Sequence, residues 1–341
     1  MKKIQVQSLP LYEVIRDIAE AFGSSYDENC GEYHLNLPEN IGKGFIKGIN
    51  FDGGFGILIY QCTFFNDVEI QFNVNKTHPL KFLYCLNGEL SHRFQNGEEL
   101  NTINQYQSAI VASKNYNGHI LHFKANTETQ IGSLEIDREQ FQEKVRCELS
   151  SLHPELKTLF TDYKATNQFY YSGDYSLYIA DLFKRIEEFE NNDFVRRIFL
   201  EGQAYEILTN QIIQYHDDHN DSKNRSLLRR SELDIVKNAA SLIENSLNDL
   251  ETIDVMAENL GINVNKLQHG FKYLYGCTVN MYIQKQRLDL AKTLLTKTDF
   301  NISEIVERIG LSSKSYFSKV FKEMYSISPS EFRTNHKKRT T

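Results

Sequence analysis

The chain has no tryptophan and only five prolines in 341 residues. Its five cysteines, Cys30, Cys62, Cys85, Cys147 and Cys277, are scattered, odd in number and without a CxxC pair. Such a set argues against a disulfide scaffold and against a zinc knuckle, and it reads as free thiols in a reducing compartment. No apolar run approaches the roughly 18 residues that a membrane helix needs. The start, MKKIQVQSLPLYEV, has neither a continuous apolar segment nor a small-residue cleavage site, so no secretion signal is read there. The expected compartment is the cytoplasm, with no membrane partner. A glycine-rich phosphate loop, a GxSxG elbow and an HExxH pair are also missing. The sequence therefore nominates no catalytic residue and no cofactor.

What is present is apolar and aromatic: 40% hydrophobic residues, with 22 Phe and 19 Tyr. The length is comfortable for two domains, each able to bury a core. Charge is unevenly spread. Residues 1–228 hold 21 Lys and Arg against 32 Asp and Glu, a net −11, whereas residues 229–341 hold 17 against 13, a net +4. Within a total of −7, only the C-terminal module has the sign to meet a polyanion.

Along the chain, residues 9–23 read as a short helix with Pro10 near its start and Gly23 past its end. Residues 38–137 are rich in Ile, Phe, Tyr and Leu and are punctuated by Gly53-Gly54, Asn87-Gly88, Asn96-Gly97 and Asn117-Gly118. Asn-Gly between apolar runs is a strong hairpin signal, so several strands in a β-barrel or sandwich are expected. From 138 to 215 the period turns helical. The stripe Phe194, Ile198, Tyr205, Leu208, Ile212 and Tyr215 is equally suited to a dimer face and to packing on the sheets. Residues 216–231, HDDHNDSKNRSLLRRS, have no periodicity and mark the boundary. His216 and His219 within them are read as solvated rather than metal-binding. The expected organisation is a first domain at 1–218, a linker at 219–230 and a second domain at 231–341.

The second domain contains a repeat. In NISEIVERIG, Ile302, Ile305, Val306 and Ile309 share one helical face, Asn301 caps the start and Gly310 ends the helix. Ser312 is expected to cap the next helix, with Phe317, Val320, Phe321 and Met324 inward. In TIDVMAENLG the inward set is Ile253, Met256, Ala257 and Leu260. Gly261 follows, and Asn263 caps a helix holding Leu267 and Phe271. Gly261 and Gly310 are 49 residues apart, and the pairs Leu267/Phe317 and Phe271/Phe321 are each 50 apart. Two helix–turn–helix units in register form an internal repeat. Between them VNMYIQKQRLDLAKTLL (279–295) reads as a rigid helix of roughly 25 Å. Such a connector suits two recognition helices set about one DNA turn apart.

These residues resemble the DNA-binding domain of AraC/XylS-type transcription regulators. The matching stretches are Gly261, Leu267 and Phe271, then RLDLAKTLL, then Ile302 to Lys322 followed by SPSEFR. KLQHGFKYLYGCTV (266–279) is similar to the siderophore-regulator branch. Two positions depart from the pattern: Leu311 stands where the family usually has an aromatic, and Ser326 where many members have glycine. Carried over by position, the resemblance implies that Asn265, Gln268 and His269 face base edges from the first recognition helix. Lys314, Ser315, Ser318 and Lys319 do so from the second. Asn and Gln can read adenine bidentately, and Lys can approach guanine acceptors. Lys266, Lys272 and Lys322 are assigned to phosphate, which fixes position rather than sequence.

The resemblance further implies an α+β protein: an N-terminal cupin-like β-barrel with helices, which senses a ligand and dimerises, then an all-α DNA-binding domain. Metal-binding cupins place an HxH pair and a following Glu on one strand face. His78, His92, His119 and His122 form no such pair, so no metal is assigned. The expected function is a ligand-responsive activator acting as a homodimer on double-stranded DNA, with RNA polymerase as a further partner. The effector is unidentified; an iron chelate, a sugar or another small metabolite all suit. The rival readings are a metal-dependent cupin-like enzyme fused to a DNA-binding domain, and a ligand-independent regulator.

Overall fold

The computed structural model describes residues 1–7, 9–73, 77–145, 147–190, 193–220 and 230–340. The chain divides into two compact units, Met1–Ser222 and Lys223–Thr341. The linker expected at 219–230 lies mostly outside the described residues.

Two sheets dominate the first unit. One has the order β1 (Lys2–Val6), β6 (Val68–Phe72), β11 (His119–Phe123), β8 (Glu89–Phe94), β9 (Asn101–Asn104). The other runs β13 (Phe169–Tyr175), β10 (Gln107–Ala112), β7 (Leu80–Asn87), β12 (Thr129–Ile136), β5 (Phe55–Phe64), β4 (Gly42–Phe51), β3 (Glu32–Asn36), β2 (Asp27–Asn29). All neighbours are antiparallel except β1 with β6. Among the described residues the two ladders do not close into one hydrogen-bonded cylinder. The expected barrel is thus a pair of sheets, and strands also lie outside 38–137, at both ends.

Alternation along each strand explains the long apolar runs. On β7, Leu83 and Cys85 join one core with Leu58 and Tyr60 of β5 and Leu121 and Phe123 of β11. The intervening Leu80, Phe82, Tyr84 and Leu86 join a second core on the opposite face. That second core is covered by α2 (Arg138–Val145), α3 (Pro154–Thr161), α4 (Leu177–Glu188) and α5 (Asp193–Asn220). A sheet buried on both faces has no polar side, so its strands read as continuous hydrophobic segments. Helix α1 (Leu11–Phe22) packs in the first core and ends at Gly23 in the left-handed conformation.

Three local readings change. Asn87-Gly88 and Asn117-Gly118 do not close hairpins: β7 and β8, and likewise β10 and β11, belong to different sheets, so these turns are corners between sheets. His216 and His219 lie on α5, not in a loop, because the helix continues to Asn220. His219 stacks on Tyr215 at 4.0 Å between ring centroids and sits 4.7 Å from His153. The α5 stripe divides: Leu208 and Tyr215 are buried against the sheet and helices, while Phe194 and Ile198 are 68% and 57% exposed. Of the β-region histidines, His78, His92 and His119 are buried and His122 is half-buried. All five cysteines are free thiols, with Cys62 and Cys85 in the core.

Candidate nucleic-acid interface

The second unit is helical: α6 (Arg230–Asn245), α7 (Ile253–Asn259), α8 (Val264–Tyr275), α9 (Val279–Lys297), α10 (Ile302–Arg308), α11 (Lys314–Tyr325) and α12 (Pro329–Thr340). Polar caps start these helices where the sequence places Thr, Asn and Ser. The Thr252 hydroxyl accepts from the Val255 N–H, and Asn263 Oδ1 accepts from the Lys266 N–H at 2.8 Å. Asn301 Oδ1 accepts from the N–H groups of Ser303 and Glu304. Glu304 Oε2 in return accepts from the Asn301 N–H at 2.7 Å, completing a capping box. The cap of α11 is Ser313, whose hydroxyl accepts from the Tyr316 N–H at 3.2 Å, rather than Ser312 one residue earlier.

The turns are set by glycine. Gly310 has φ +71°, and a Cβ there would stand 2.2 Å from the Leu247 carbonyl oxygen. Both the backbone conformation and the close approach therefore require glycine. Gly270 brings α8 against α6: a Cβ at that position would meet Val236 Cγ2 at 2.4 Å.

The repeat is the packing. Leu267, Phe271, Phe317 and Phe321 are all fully buried. Met324, expected inward, is 47% exposed. Helix α9 spans about 28 Å over its 19 residues. It is tied to its neighbours from its first turn to its middle. Tyr282 donates its hydroxyl to Glu244, Arg287 Nη2 donates to the Leu247 carbonyl at 3.3 Å, and Asp289 accepts from the Tyr325 hydroxyl at 3.0 Å. Arg333 Nη2 donates to the Phe300 carbonyl at 2.5 Å and holds α12 on the second half.

On α8, Asn265 and Lys272 are exposed, and Lys266, Gln268 and His269 are half-buried. Gln268 Oε1 accepts from the Val279 N–H at 3.1 Å, so one side of its amide is used to start α9. His269 Nδ1 is buried with no hydrogen-bond partner among the described residues. On α11, Lys314, Ser315, Lys319 and Lys322 are exposed and Ser318 is half-buried. Lys319 lies 4.0 Å from Glu323, but both side chains are well exposed and the pair is weak. Tyr316, 50% exposed, was passed over in the sequence. It lies one turn from Lys319 on the same helical face, and that i, i+3 spacing was the available signal. Helix α8 contains no Asp or Glu, and α11 contains only Glu323 in its last turn. Both helices thus offer short polar groups and lysines to a polyanion with little opposing charge.

Residues 256–335 match the family described as a helix-turn-helix domain. Residues 43–227, more than half of the chain, match the family described as the regulatory protein PchR N-terminal domain. The probable transcription factor PqrA of Proteus vulgaris is 36% identical over 83 residues, which is 24% of this chain and 68% of that protein. The xylose operon regulatory protein of Escherichia coli (strain K12) is 35% identical over 81 residues, 24% of this chain and 21% of that protein. The crystal structure of an AraC-type DNA-binding-domain regulator from Chromobacterium violaceum aligns at 27% identity over 32% of this chain and 96% of that one, with a TM-score of 0.29. Apart from PqrA, the chain spans between 20% and 35% of the length of these curated regulators. Two capped helix–turn–helix halves on one connector, under matches that reach both units, place this protein among the AraC-type DNA-binding transcription regulators that carry a PchR-type N-terminal domain.

Proposed function

We infer that the protein is a cytoplasmic regulator that acts as a homodimer and responds to a small-molecule effector. Its C-terminal unit reads two successive major-groove segments, and its N-terminal unit senses and dimerises. The observation that carries the reading is the pair of nearly acid-free helices, α8 and α11, repeated 50 residues apart on the tied connector α9. Asn265, His269 and the free NH2 of Gln268 serve base edges from α8; Lys314, Ser315, Ser318 and Lys319 serve them from α11. Lys266, Lys272 and Lys322 hold phosphate. Self-association is supported by Phe194, Val195 and Ile198, which keep 68%, 55% and 57% of their surface exposed along α5. The effector acts by binding one dimer geometry more tightly than another. Activation through contact with RNA polymerase belongs to the same reading.

The test starts from genomic fragments captured by the purified protein at near-physiological salt, with affinity then measured by fluorescence anisotropy. Asn265→Ala combined with Lys319→Ala is expected to lower affinity for the captured site by about 10- to 100-fold or more, and for random DNA much less. Gln268→Ala is avoided because it also removes the Val279 cap. Lys272→Ala and Lys322→Ala are expected to weaken both kinds of DNA alike, each reducing the salt slope by about one. Unchanged affinity of the Asn265/Lys319 variant for the captured site would refute the assignment of the reading faces.

A further inference from the structure

The helix-covered face of the large sheet changes chemistry where its cover runs out. Over β5, β12 and β7 that face carries the second core, with Ile59, Leu134 and Phe82 packed among the residues of α4 and α5. Helix α4 stops at Glu188, and Phe189 behind it is extended. Toward the edge formed by β2 and β3 the same face turns polar. One row of the ladder shows the change: Ile59 of β5 stands opposite Lys47 of β4, Lys47 opposite His34 of β3, and His34 opposite Asp27 of β2. Cross-strand partners share a face, so Lys47 and His34 lie on the side of Ile59 and not on the side of the first core.

A cavity of about 470 Å³ lies over this row. Its volume falls within the range of small-molecule sites. Phe45 and Ile59 line it from the sheet, and Ile186 and Phe189 from the end of α4. A further wall is an ion pair held in fixed geometry. The Glu32 carboxylate accepts from Arg196 Nε at 2.5 Å and from Nη2 at 2.8 Å, and Arg196 Nη1 donates to the Phe189 carbonyl at 2.9 Å. Those two charges satisfy each other, and the rest of the lining is less engaged. Lys47 Nζ stands 4.5 Å from the centroid of the Phe45 ring and has no hydrogen bond or ion pair among the described residues. His34 Nε2 is buried with no hydrogen-bond partner among them. Burial lowers the pKa of both groups, and the Lys47 ammonium adds to the effect at His34. Asp27, Glu187 and Glu190 are exposed at the mouth, and none of the three is in an ion pair among the described residues.

The cavity thus has an uncompensated cation and an open imidazole nitrogen on its sheet side, three carboxylates at its rim, and an apolar surface between. A plain carboxylate suits Lys47 but is repelled by the rim. A plain amine suits the rim but leaves Lys47 without a counter-charge and brings a second cation near it. A molecule with both charges matches both regions. We propose that this cavity binds a small zwitterion, an amino acid or dipeptide with an apolar side chain. Its carboxylate meets Lys47 and His34, its ammonium meets Glu187 and Glu190, and its side chain covers Phe45 and Ile59. This deepens the effector reading above and rests on it only for the consequence at DNA. The route to that consequence is α5, which supplies Arg196 from its first turn and runs to Asn220 near the end of the first unit.

The test titrates the full chain by calorimetry with L-phenylalanine and with L-leucyl-L-phenylalanine. Two analogues run in parallel: 3-phenylpropanoate, which lacks the ammonium, and 2-phenylethylamine, which lacks the carboxylate. At least one zwitterion is expected to bind once per chain with a Kd below about 1 mM, and each analogue at least about tenfold more weakly. Lys47→Met should weaken the zwitterion by about tenfold and leave 2-phenylethylamine unaffected. Glu187→Gln combined with Glu190→Gln should weaken the zwitterion and 2-phenylethylamine but not 3-phenylpropanoate. All three side chains are exposed or half-buried, so these variants keep the fold. Lys43→Met, exposed on the same strand and outside the cavity, should change nothing. No one-to-one binding by either zwitterion, an affinity for 2-phenylethylamine equal to the zwitterion's, or an equal loss in Lys43→Met overturns the site. Affinity for the captured DNA, measured with and without the zwitterion, is a separate reading. Zwitterion binding that depends on Lys47 but leaves DNA affinity unchanged upholds the site and refutes its role as the effector site. Absent zwitterion binding with intact DNA recognition overturns the site alone.

Discussion

Acid should unfold the N-terminal unit early, and the buried histidines set the size of the effect. His78 and His92 each have their pKa pushed down from the ordinary 6.5 to about 4, first by burial and then by the Lys81 ammonium, with the Arg138 guanidinium adding to it at His78. His119 is pushed well below the ordinary value by the same burial and by Lys81 and the other two rings. The groups facing the cluster include Lys81, its partner Glu135, Arg138, the Ser113 hydroxyl and Tyr170, whose ring stacks on His92. Above pH 6.5 neither the folded nor the unfolded state binds protons at these rings, and they do not affect stability. As pH falls below 6.5 the unfolded chain takes up protons that the folded chain refuses, so stability is lost between pH 6.5 and about 4. At pH 5.5 the loss is about 1.4 kcal/mol for each of His78 and His92, roughly 3 kcal/mol together. For a unit of this size that lowers Tm by roughly 6–12 °C. Scanning calorimetry at pH 7.5 and 5.5 should show this shift in the N-terminal transition. A His78→Gln/His92→Gln variant should show much less of it. A variant with the full acid shift would refute the reasoning, since the protons would then be going elsewhere.

Three further outcomes follow from the packing. Lys81→Met leaves Glu135 as a buried carboxylate without its cation and should cost about 3–5 kcal/mol; adding Glu135→Leu should recover much of that, as read by urea unfolding. Gly310→Ala forces a Cβ into the Leu247 carbonyl at a left-handed backbone position. It should cost more than about 2 kcal/mol in the C-terminal transition and weaken DNA binding with it, whereas a fully stable variant would show that the turn tolerates rearrangement. Ser326 closes α11 at φ +64°, so Ser326→Gly relieves a left-handed side chain and should stabilise the same unit by about 1 kcal/mol in urea; a loss of stability would show that the serine contributes something its backbone does not reveal.

The C-terminal unit was legible because its determinants are local. Asn263 and Asn301 cap the helices that follow them within three residues, Gly261 and Gly310 end the preceding ones, and the recurring Leu267/Phe271 and Phe317/Phe321 pairs expose the repeat without any knowledge of the fold. The exceptions are equally local. The α11 cap moved from Ser312 to Ser313, because two adjacent serines offer the same hydroxyl and only the backbone chooses between them. Gln268 looked like a free reading residue until Val279, eleven positions later, proved to use one side of its amide.

The N-terminal unit is different because its strands pair across long separations. Composition and period were enough to announce strands and then helices, and the burial of one sheet on both faces is already implied by runs such as FGILIY and LKFLYCL. Which strand neighbours which is not implied: Asn87-Gly88 has the local chemistry of a hairpin, yet it turns the chain from one sheet into the other. His78, His92 and His119, spread over 42 positions with no motif between them, read individually as ordinary histidines. Short-range chemistry in the sequence by itself determined the caps, the turns and the two reading helices. Only tertiary structure, by stacking one sheet on another and stripping water from what lay between, decided that three distant imidazoles would be buried side by side with five of their six nitrogens unpaired among the described residues.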